Sequence, residues 1–318
     1  MDRGVWRTDA GVRLAQEVFG RLITGRTLDD LSLDEHDGRR DLRGFVMPTR
    51  ETRDVMADSG VISAEQARRP EVSGHVLDGL DFTDADFDGL RFFDSELRDC
   101  VFNGARFRGL KLWRTRVHSC SFRKAKLVDA VLGSLDDGVA NSYTDVDFTA
   151  ADLRRAIFDY ADFVDVDLSD TKLVDIDFGS ATFTRCTFGG RLEKLVFWEL
   201  PPNSERSTRN HMEDVDFSHA ELHWTEFRGI RLDRVTLPAS GNHVVVNHYH
   251  CVLKHAIAQL AGTSPYAATF DHELHWAHPQ RKVGIWHRDD LGVTDEERET
   301  IAALLTRIDH DCTEDAQD

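Results

Sequence analysis

The sequence has little cysteine and no long apolar run. Its five cysteines in 318 residues include no CxxC pair, are odd in number and are sparse for this length. A disulfide framework is therefore not expected, and reduced thiols fit better. No stretch approaches the roughly 20 apolar residues of a membrane span, and the first residues contain no apolar segment of signal-peptide length. We therefore expect a cytoplasmic protein that has no membrane partner.

The sequence also lacks an excess of positive charge, since its formal net charge is −18. This argues against direct nucleic-acid binding, because an acidic surface is repelled by phosphate. The charge is unevenly distributed along the chain. Residues 91–126 hold ten basic residues against three acidic ones, an excess of +7. Residues 145–177 hold ten aspartates against three basic residues, an excess of −7, and the chain is therefore charged in bands.

A five-residue periodicity is the strongest signal in the sequence. Every fifth residue from Leu77 to Leu132 is Phe, Leu or Val, and the pattern resumes over 148–188 and 217–237. The residue two positions earlier is usually small or β-branched, as at Ala85 and Ala105. A period of five is neither the helical 3.6 nor the strand period of 2. It predicts a coil of short flat faces, each pointing one large and one small side chain inward.

The repeat pattern resembles that of the pentapeptide-repeat family. The segments Ala85-Asp86-Phe87, Ala151-Asp152-Leu153 and Ala161-Asp162-Phe163 carry the resemblance directly. It implies a mainly β fold, a right-handed quadrilateral β-helix with four faces and about 20 residues in each coil, to which the apolar spacing of the two ends adds helical N- and C-terminal flanks. A bare end coil would expose its apolar ladder, so we expect capping structure at both ends.

These observations predict three segments. Residues 1–70 form an N-terminal helical or irregular cap, 71–238 form the β-helix, and 239–318 form a helical, His-rich C-terminal flank. Two loops interrupt the β-helix, near 133–145 and 198–214. At the first interruption Leu132 and Phe148 are 16 positions apart, where three five-residue repeats would give 15. This predicts one extra residue in a bulge or small loop.

Helical periodicity appears in both flanks. Val12, Ala15, Phe19 and Leu22 predict one face of a helix over 9–23. A second helix is predicted from about Tyr249 to the residues before Gly262. Thr294 and Glu297 have the spacing of a capping box, which predicts the start of a final helix.

The acidic band and the second loop supply the candidate partner-binding residues. As members of the repeat beside its central position, the aspartates are expected to face solvent, where an exposed carboxylate lacks the shifted pKa that catalysis requires. Tryptophan beside arginine is typical of binding hot spots. The predicted partner-binding residues are Asp147, Asp152, Asp162, Asp165, Asp167, Asp177, Trp198, Arg206 and Arg209.

The His-rich flank is the stretch in which metal or acid-base chemistry has to be considered. His248, Cys251 and His255 would share one helix face, and His272 and His275 another. Zinc accepts such ligands, but no established zinc spacing is met. Ordinary, partly buried histidines are the favoured interpretation, and neither a metal nor a cofactor is expected.

Three functions remain open. The family resemblance implies a protein partner, because some members resemble duplex DNA, occupy the DNA site of DNA gyrase and give resistance to topoisomerase poisons. The alternatives are a scaffold with an unrelated protein partner and an enzyme with its site in the His-rich flank. We also expect a homodimer joined through residues 239–318, with Trp276, Ile285 and Trp286 as its apolar contribution.

Overall fold

A computed structural model describes residues 4–205, 207–239 and 241–314. The chain divides into two compact units, residues 1–172 and residues 173–318. The segment borders predicted near 70 and 238 fall inside these units and stay predictions. No helix among the described residues has the length and apolar character needed to cross a lipid bilayer.

In its described residues the first unit contains a 3₁₀ helix (Val5–Arg7), three α-helices and a long series of short strands. Its helices are α1 (Asp9–Thr24), α2 (Arg50–Asp58) and α3 (Ala64–Arg68). Its strands are β1 (Glu35–His36), β2 (Arg39–Asp41), β3 (Glu71–Ser73), β4 (Val76–Asp78), β5 (Leu80–Asp81), β6 (Asp86–Asp88), β7 (Arg91–Phe93), β8 (Glu96–Arg98), β9 (Arg106–Arg108), β10 (Lys111–Trp113), β11 (Arg116–His118), β12 (Leu135–Asp136), β13 (Val139–Ala140), β14 (Ser142–Asp147) and β15 (Asp162–Leu168).

Parallel pairing at a sequence separation of four five-residue repeats makes the first unit β-helix-like. Leu77 of β4 pairs with Leu97 of β8, which pairs with Val117 of β11. Phe87 pairs with Phe107 in a separate column of strands. The chain therefore returns to the same position after every fourth repeat, as the family pattern implies. Pairs of this kind bring consecutive coils to the usual strand spacing of about 4.8 Å.

Stacked phenylalanine rings fill the interior of the first unit. Phe102 lies between Phe82 and Phe122, with ring centroids 5.5 Å and 4.9 Å away and rings within 14° of parallel. Phe87 and Phe107 form a second stack at 4.9 Å. All five rings are buried. Such pairs contribute about 0.5–1.5 kcal/mol beyond the burial of their area, so the ladder is a main source of stability.

The first interruption is larger than predicted. Arg116 of β11 pairs with Glu96 in the coil before it and with Ser142 of β14 in the coil after it, so the later coil is six residues longer. The additional residues form a β-hairpin, β12–β13, that turns at Asp137 and Gly138 with positive φ angles of 49° and 74°. The prediction of one extra residue was wrong, because adding six residues shifts a five-residue phase by only one.

Aspartate occupies many of the sharp bends between faces. Asp94, Asp99, Asp145 and Asp165 have φ angles between 48° and 56°, in the left-handed region. Aspartate enters this region more readily than most residues, because its short polar side chain forms local hydrogen bonds. Bend geometry is therefore one reason for the aspartate content of the repeats.

The N-terminal helix is confirmed, but one residue of its predicted apolar face is not. Thr8 caps α1 by accepting a hydrogen bond from the Gly11 backbone N–H. Val18 and Phe19 are buried, whereas Val12 is 42% exposed. The buried face is therefore rotated away from Val12.

The described part of the second unit contains the remaining strands, three α-helices and a 3₁₀ helix (Arg288–Asp290). The strands are β16 (Leu173–Asp177), β17 (Thr182–Thr184), β18 (Thr187–Trp198), β19 (Val215–His223), β20 (Glu226–Arg228), β21 (Val235–Thr236), β22 (His243–Val246) and β23 (Gly284–His287). The helices are α4 (Tyr249–Leu260), α5 (Tyr266–Trp276) and α6 (Asp295–Glu314).

The second unit repeats the parallel coils with a longer insertion. Phe197 of β18 pairs with Phe227 of β20, ten residues more than a regular coil requires, and their rings stack at 5.4 Å. The segment between β18 and β19, where the second loop was predicted, contains no helix or strand in its described residues. Its end re-enters the core, since Met212 is buried and Asn210 Oδ1 accepts hydrogen bonds from the Phe183 and Met212 backbone N–H groups.

The C-terminal part of the second unit has its own apolar core. Helix α4 packs on α5 and α6, and Leu253, Phe270 and Leu305 are buried there. The predicted capping box is confirmed, because the Glu297 N–H donates to Thr294 Oγ1 and the Thr294 N–H donates to Glu297 Oε2. The sequence did not predict helix α5 or the antiparallel pair β22–β23.

We predict that replacing Phe102 by alanine lowers the free energy of unfolding by about 3–5 kcal/mol, because the change leaves a cavity inside the ring stack. The matched control is Ile157→Ala, whose side chain is 47% exposed. The control is expected to cost less than about 1 kcal/mol. Urea unfolding followed by circular dichroism measures both values, and equal losses would contradict the buried position of Phe102.

Candidate functional site

The acidic band contains two kinds of aspartate. Asp145 and Asp165 are exposed, and the register of β14 with β15 places them beside each other on consecutive coils. Asp147 and Asp167 are half-buried, and each accepts a hydrogen bond of 2.8 Å from a backbone N–H two residues later. Asp147 and Asp167 therefore each stabilise their own turn. The expectation that all predicted aspartates face solvent was therefore too simple.

Arginines neutralise part of the band. Arg123 contacts Asp147 at 2.8 Å, and Arg154 contacts Asp152 at 2.8 Å. Burial alone would raise the pKa of Asp147, but hydrogen bonds from Thr149 and Arg123 outweigh it and lower the pKa. The hydrogen bond from Arg154 likewise lowers the pKa of Asp152. Both carboxyl groups are held in the ionised form.

The basic band is balanced across neighbouring coils. Arg98 contacts Asp78 at 3.0 Å, and Arg116 contacts Glu96 at 3.3 Å, and in each pair the partners lie one coil apart. Exposed pairs of this kind contribute about 0–1 kcal/mol each. Their main consequence is electrostatic, since they reduce the positive potential that the sequence count of +7 suggests.

The predicted aromatic and basic partner residues lie in the second unit. Trp198 is half-buried, its ring 5.2 Å from that of Trp276, and the Arg228 guanidinium lies 4.7 Å from the Trp198 ring centre. Arg209 contacts Glu199 at 2.8 Å. Arg206 lies outside the described residues. Asp162 is half-buried and Asp177 is exposed.

The structure brings only some of the metal candidates together. His255 Nδ1 lies 3.6 Å from Cys251 Sγ and 3.9 Å from Cys312 Sγ. His248 instead contacts Asp309 at 3.0 Å. His272, on helix α5, lies apart from this group and beside Arg228 of β20. His275 packs on the Trp276 ring.

Cys251 and Cys312 form a disulfide that joins α4 to α6. The expectation of reduced thiols throughout was therefore wrong for these two residues. Their separation of 61 positions hid the pairing, because only the packing of the two helices brings them together. Both sulfurs are occupied by the bond, so they become metal ligands only after reduction to thiolates. Cys100, Cys120 and Cys186 are free and buried.

A buried histidine cluster was missed by the sequence analysis. The rings of His223 and His287 lie 3.7 Å apart, and His223 Nδ1 is 3.3 Å from Asp290 Oδ1. Asp290 Oδ2 accepts a hydrogen bond from the Trp224 backbone N–H. His223 is part of strand β19, and the five-residue pattern does not predict that it belongs to a buried polar cluster. The ligand atoms of His223, His287 and Asp290 lie within 4.8 Å of one another, a grouping that could hold a metal ion, and Arg191 lies 3.3 Å from His223 Nε2.

His243 lies next to the cluster and stays neutral. It is buried, and its Nε2 accepts a hydrogen bond from the Leu222 backbone N–H. Burial lowers the pKa of His243 to about 4, with smaller contributions from His287 and His223. Protonation of the His243 ring therefore destabilises the folded state.

A cavity of about 90 Å³ lies between β19–β20, α5 and β23. Glu273 contributes to its lining, and the Trp286 indole N–H donates to both carboxylate oxygens at 3.0 Å. Burial raises the pKa of Glu273 to about 7, even though the Trp286 hydrogen bond and Arg281 act to lower it. Glu273 was not predicted, because its spacing matches no motif.

The coils are built from five-residue repeats, and stacked phenylalanine rings fill their interior. These features define a β-helix-like repeat protein. A family model described as pentapeptide repeats (8 copies) matches residues 144–170 and 161–190. The chain therefore contains pentapeptide repeats, which the family model locates within residues 144–190. No curated protein gives a significant match to the sequence.

Solved pentapeptide-repeat structures are similar to parts of the chain. QnrB1, described as a plasmid-mediated fluoroquinolone resistance protein, is 12% identical with a TM-score of 0.27, covering 49% of this chain and 84% of QnrB1. Rfr23 from a Cyanothece cyanobacterium is 16% identical with a TM-score of 0.23, covering 39% and 90%. At this similarity neither protein indicates what this chain binds.

We predict that reduction of the Cys251–Cys312 bond lowers the free energy of unfolding by about 2–4 kcal/mol, because it frees a long loop in the unfolded chain. Urea unfolding with and without a thiol reductant measures the loss. The Cys251→Ser/Cys312→Ser double variant is the control and should not respond to reductant. Five titratable thiols in unreduced, denatured protein, instead of three, would contradict the bond.

A second prediction concerns pH. The folded pKa of His243, about 4, lies below the ordinary value of 6.5, so the unfolded chain takes up a proton first as pH falls. The stability linked to this group is complete above pH 6.5 and is lost as pH falls toward 4. Between pH 7.5 and 5 the wild type should lose about 2 kcal/mol more than His243→Gln, which keeps an acceptor but does not titrate.

Glu273 acts in the opposite direction, because its folded pKa of about 7 lies above the ordinary value of 4.5. Its contribution therefore rises as pH falls from 7, in the wild type and in His243→Gln alike. Only the difference between the two proteins reports His243. Urea midpoints at the two pH values measure it, and identical losses in both proteins would contradict a buried neutral ring.

Proposed function

We propose that this chain is a protein-binding module, a right-handed quadrilateral β-helix whose acidic face occupies a DNA-binding surface of DNA gyrase. The acidic face is the bend that presents Asp145 and Asp165 on consecutive coils. The observation that carries the proposal is the exposed pair Asp145 and Asp165, repeated at one bend of consecutive coils. Modulation of a topoisomerase, with resistance to a topoisomerase poison, would follow from competition with DNA. A cytoplasmic location belongs to the same proposal.

Charge density supports this binding mode. Residues 145–170 hold eight aspartates against Arg154 and Arg155, an excess of six negative charges. With Arg123, which contacts Asp147, included, the formal excess is five negative charges. These residues span about 1.3 coils, or roughly 6 Å at strand spacing, whereas duplex DNA carries about four charges over that length. The local density is therefore sufficient to substitute for phosphates.

The alternative is a scaffold whose partner is another protein. Charge reversal distinguishes the scaffold from the gyrase-binding module. A scaffold that docks through other residues would still bind its partner after the charges of the acidic face are reversed. The homodimer through 239–318 stays a prediction, but Ile285 and Trp286 are buried within the second unit. They are therefore not available as the apolar contribution to a dimer without rearrangement.

We predict that Asp145→Lys/Asp165→Lys abolishes any effect on gyrase while leaving the fold intact. Lysine is compatible with these bends, because Lys124 and Lys194 adopt the same left-handed conformation in this chain. The assay is gyrase supercoiling at micromolar protein, with and without a fluoroquinolone. Wild-type protein should inhibit or protect the enzyme, and the double variant should do neither.

The matched control reverses two exposed aspartates outside the acidic face, Asp34→Lys/Asp58→Lys, for the same change in net charge. It should act like the wild type. An inactive wild type would refute gyrase as the partner, and an active acidic-face variant would refute the binding surface.

A further inference from the structure

The cavity of the second unit is lined by aromatic rings and carboxylates. Trp224, Tyr266, Phe270 and Trp286 contribute four aromatic side chains, and Glu226 and Glu273 contribute two carboxylates. Phe270 and Trp286 are buried, whereas Trp224 is 50% exposed. The acidic groups are therefore presented in a partly enclosed aromatic environment. None of these residues belongs to the repeat ladder or to the acidic face proposed to bind gyrase.

The aromatic walls are held in position by their own hydrogen bonds. The Trp286 indole N–H donates to Glu273, and the Tyr266 hydroxyl donates to the Asp290 carbonyl at 2.8 Å. The Trp224 backbone N–H donates to Asp290 Oδ2 at 2.7 Å. A cavity whose walls are fixed in this way is already organised for a ligand, which reduces the entropic cost of binding.

The charges of the lining select the sign of the ligand. Glu226 contacts Arg228 at 2.7 Å, but neither Arg228 nor Arg281 lines the cavity. The negative faces of aromatic rings attract cations, and clusters of such rings recognise quaternary ammonium groups. Burial is the main cause of the raised pKa of Glu273. A cation bound between the rings and Glu273 would favour the ionised carboxylate.

The size of the cavity limits the ligand. Its volume of about 90 Å³ is several times the roughly 10–15 Å³ that a cavity needs to hold one water molecule, so it has room for a small organic group. An inorganic cation would leave the aromatic walls without contacts, and a neutral ligand would make no charge interaction with Glu273.

We propose that this cavity binds a small organic cation bearing a methylated ammonium group, held between the aromatic rings and the carboxylates of Glu273 and Glu226. The ammonium charge faces the carboxylates, and its methyl groups contact the rings. This gives the second unit a small-molecule site that is separate from the protein-binding surface.

Isothermal titration calorimetry of the full chain with choline tests the proposal. We expect saturable binding with a dissociation constant below about 1 mM. The ligand control is 3,3-dimethylbutan-1-ol, which has the shape of choline without its charge, and it should bind at least tenfold more weakly. Potassium chloride at the same concentration should give no binding signal.

Three variants locate the site. Glu273→Gln, which keeps the shape of the side chain, and Trp224→Ala, at a half-exposed position, should each weaken choline binding at least tenfold. Glu221→Gln lies outside the cavity lining and should bind like the wild type. Circular dichroism checks folding, and Trp224→Ala decides the question if Glu273→Gln is unfolded. No binding of choline, equal binding of the neutral analogue, or unchanged binding by Trp224→Ala would each overturn the proposal.

Discussion

Face-to-face contact between phenylalanine rings one coil apart is the interaction on which the described structure depends. Phe102 illustrates it, because the rings of Phe82 and Phe122 cover both of its faces. A ring can stack in this way only if the chain returns to the same position after each coil. The stacks therefore fix the coil register, and the register decides which polar residues lie side by side on the outside. The hairpin β12–β13 and the segment after Trp198 leave the ring stacks continuous, since Phe122 stacks on Phe148 and Phe197 stacks on Phe227 across them.

The outside of the coils follows from this register. Residues one coil apart become neighbours, so acidic and basic positions such as Asp78 and Arg98 pair across coils, whereas Asp145 and Asp165 repeat the same charge. Aspartate is favoured at the bends for its conformation and at other positions for the turn that it caps. The exposed bend residues are then the ones that a partner can reach. The C-terminal part of the second unit is built differently, with its own helical core, and it carries the cavity around Glu273.

Much of the β-helix-like part could be predicted from the sequence, because a five-residue apolar period leaves few alternatives. Helices α1, α4 and α6 were also predictable from periodicity and capping residues. The size of the first insertion was not, since six extra residues and one extra residue give the same phase. The Cys251–Cys312 bond, the cluster of His223 with Asp290, and the Glu273 cavity depend on residues far apart in sequence. Single residues brought together by packing leave no periodic signal, so these sites required the structure.

The coil register is the central claim, and site-directed cross-linking tests it most directly. Lys126 pairs with Asp152 across the coil that contains the hairpin. Cysteines at these two positions lie at strand spacing, about 4.8 Å, which a disulfide can bridge. This register predicts rapid oxidation of Lys126→Cys/Asp152→Cys to an intramolecular disulfide. It predicts little for Lys126→Cys/Ile157→Cys, because Ile157 pairs with Val131 instead. Equal cross-linking of both pairs, or none of the first, would contradict the register and the stacked interior with it.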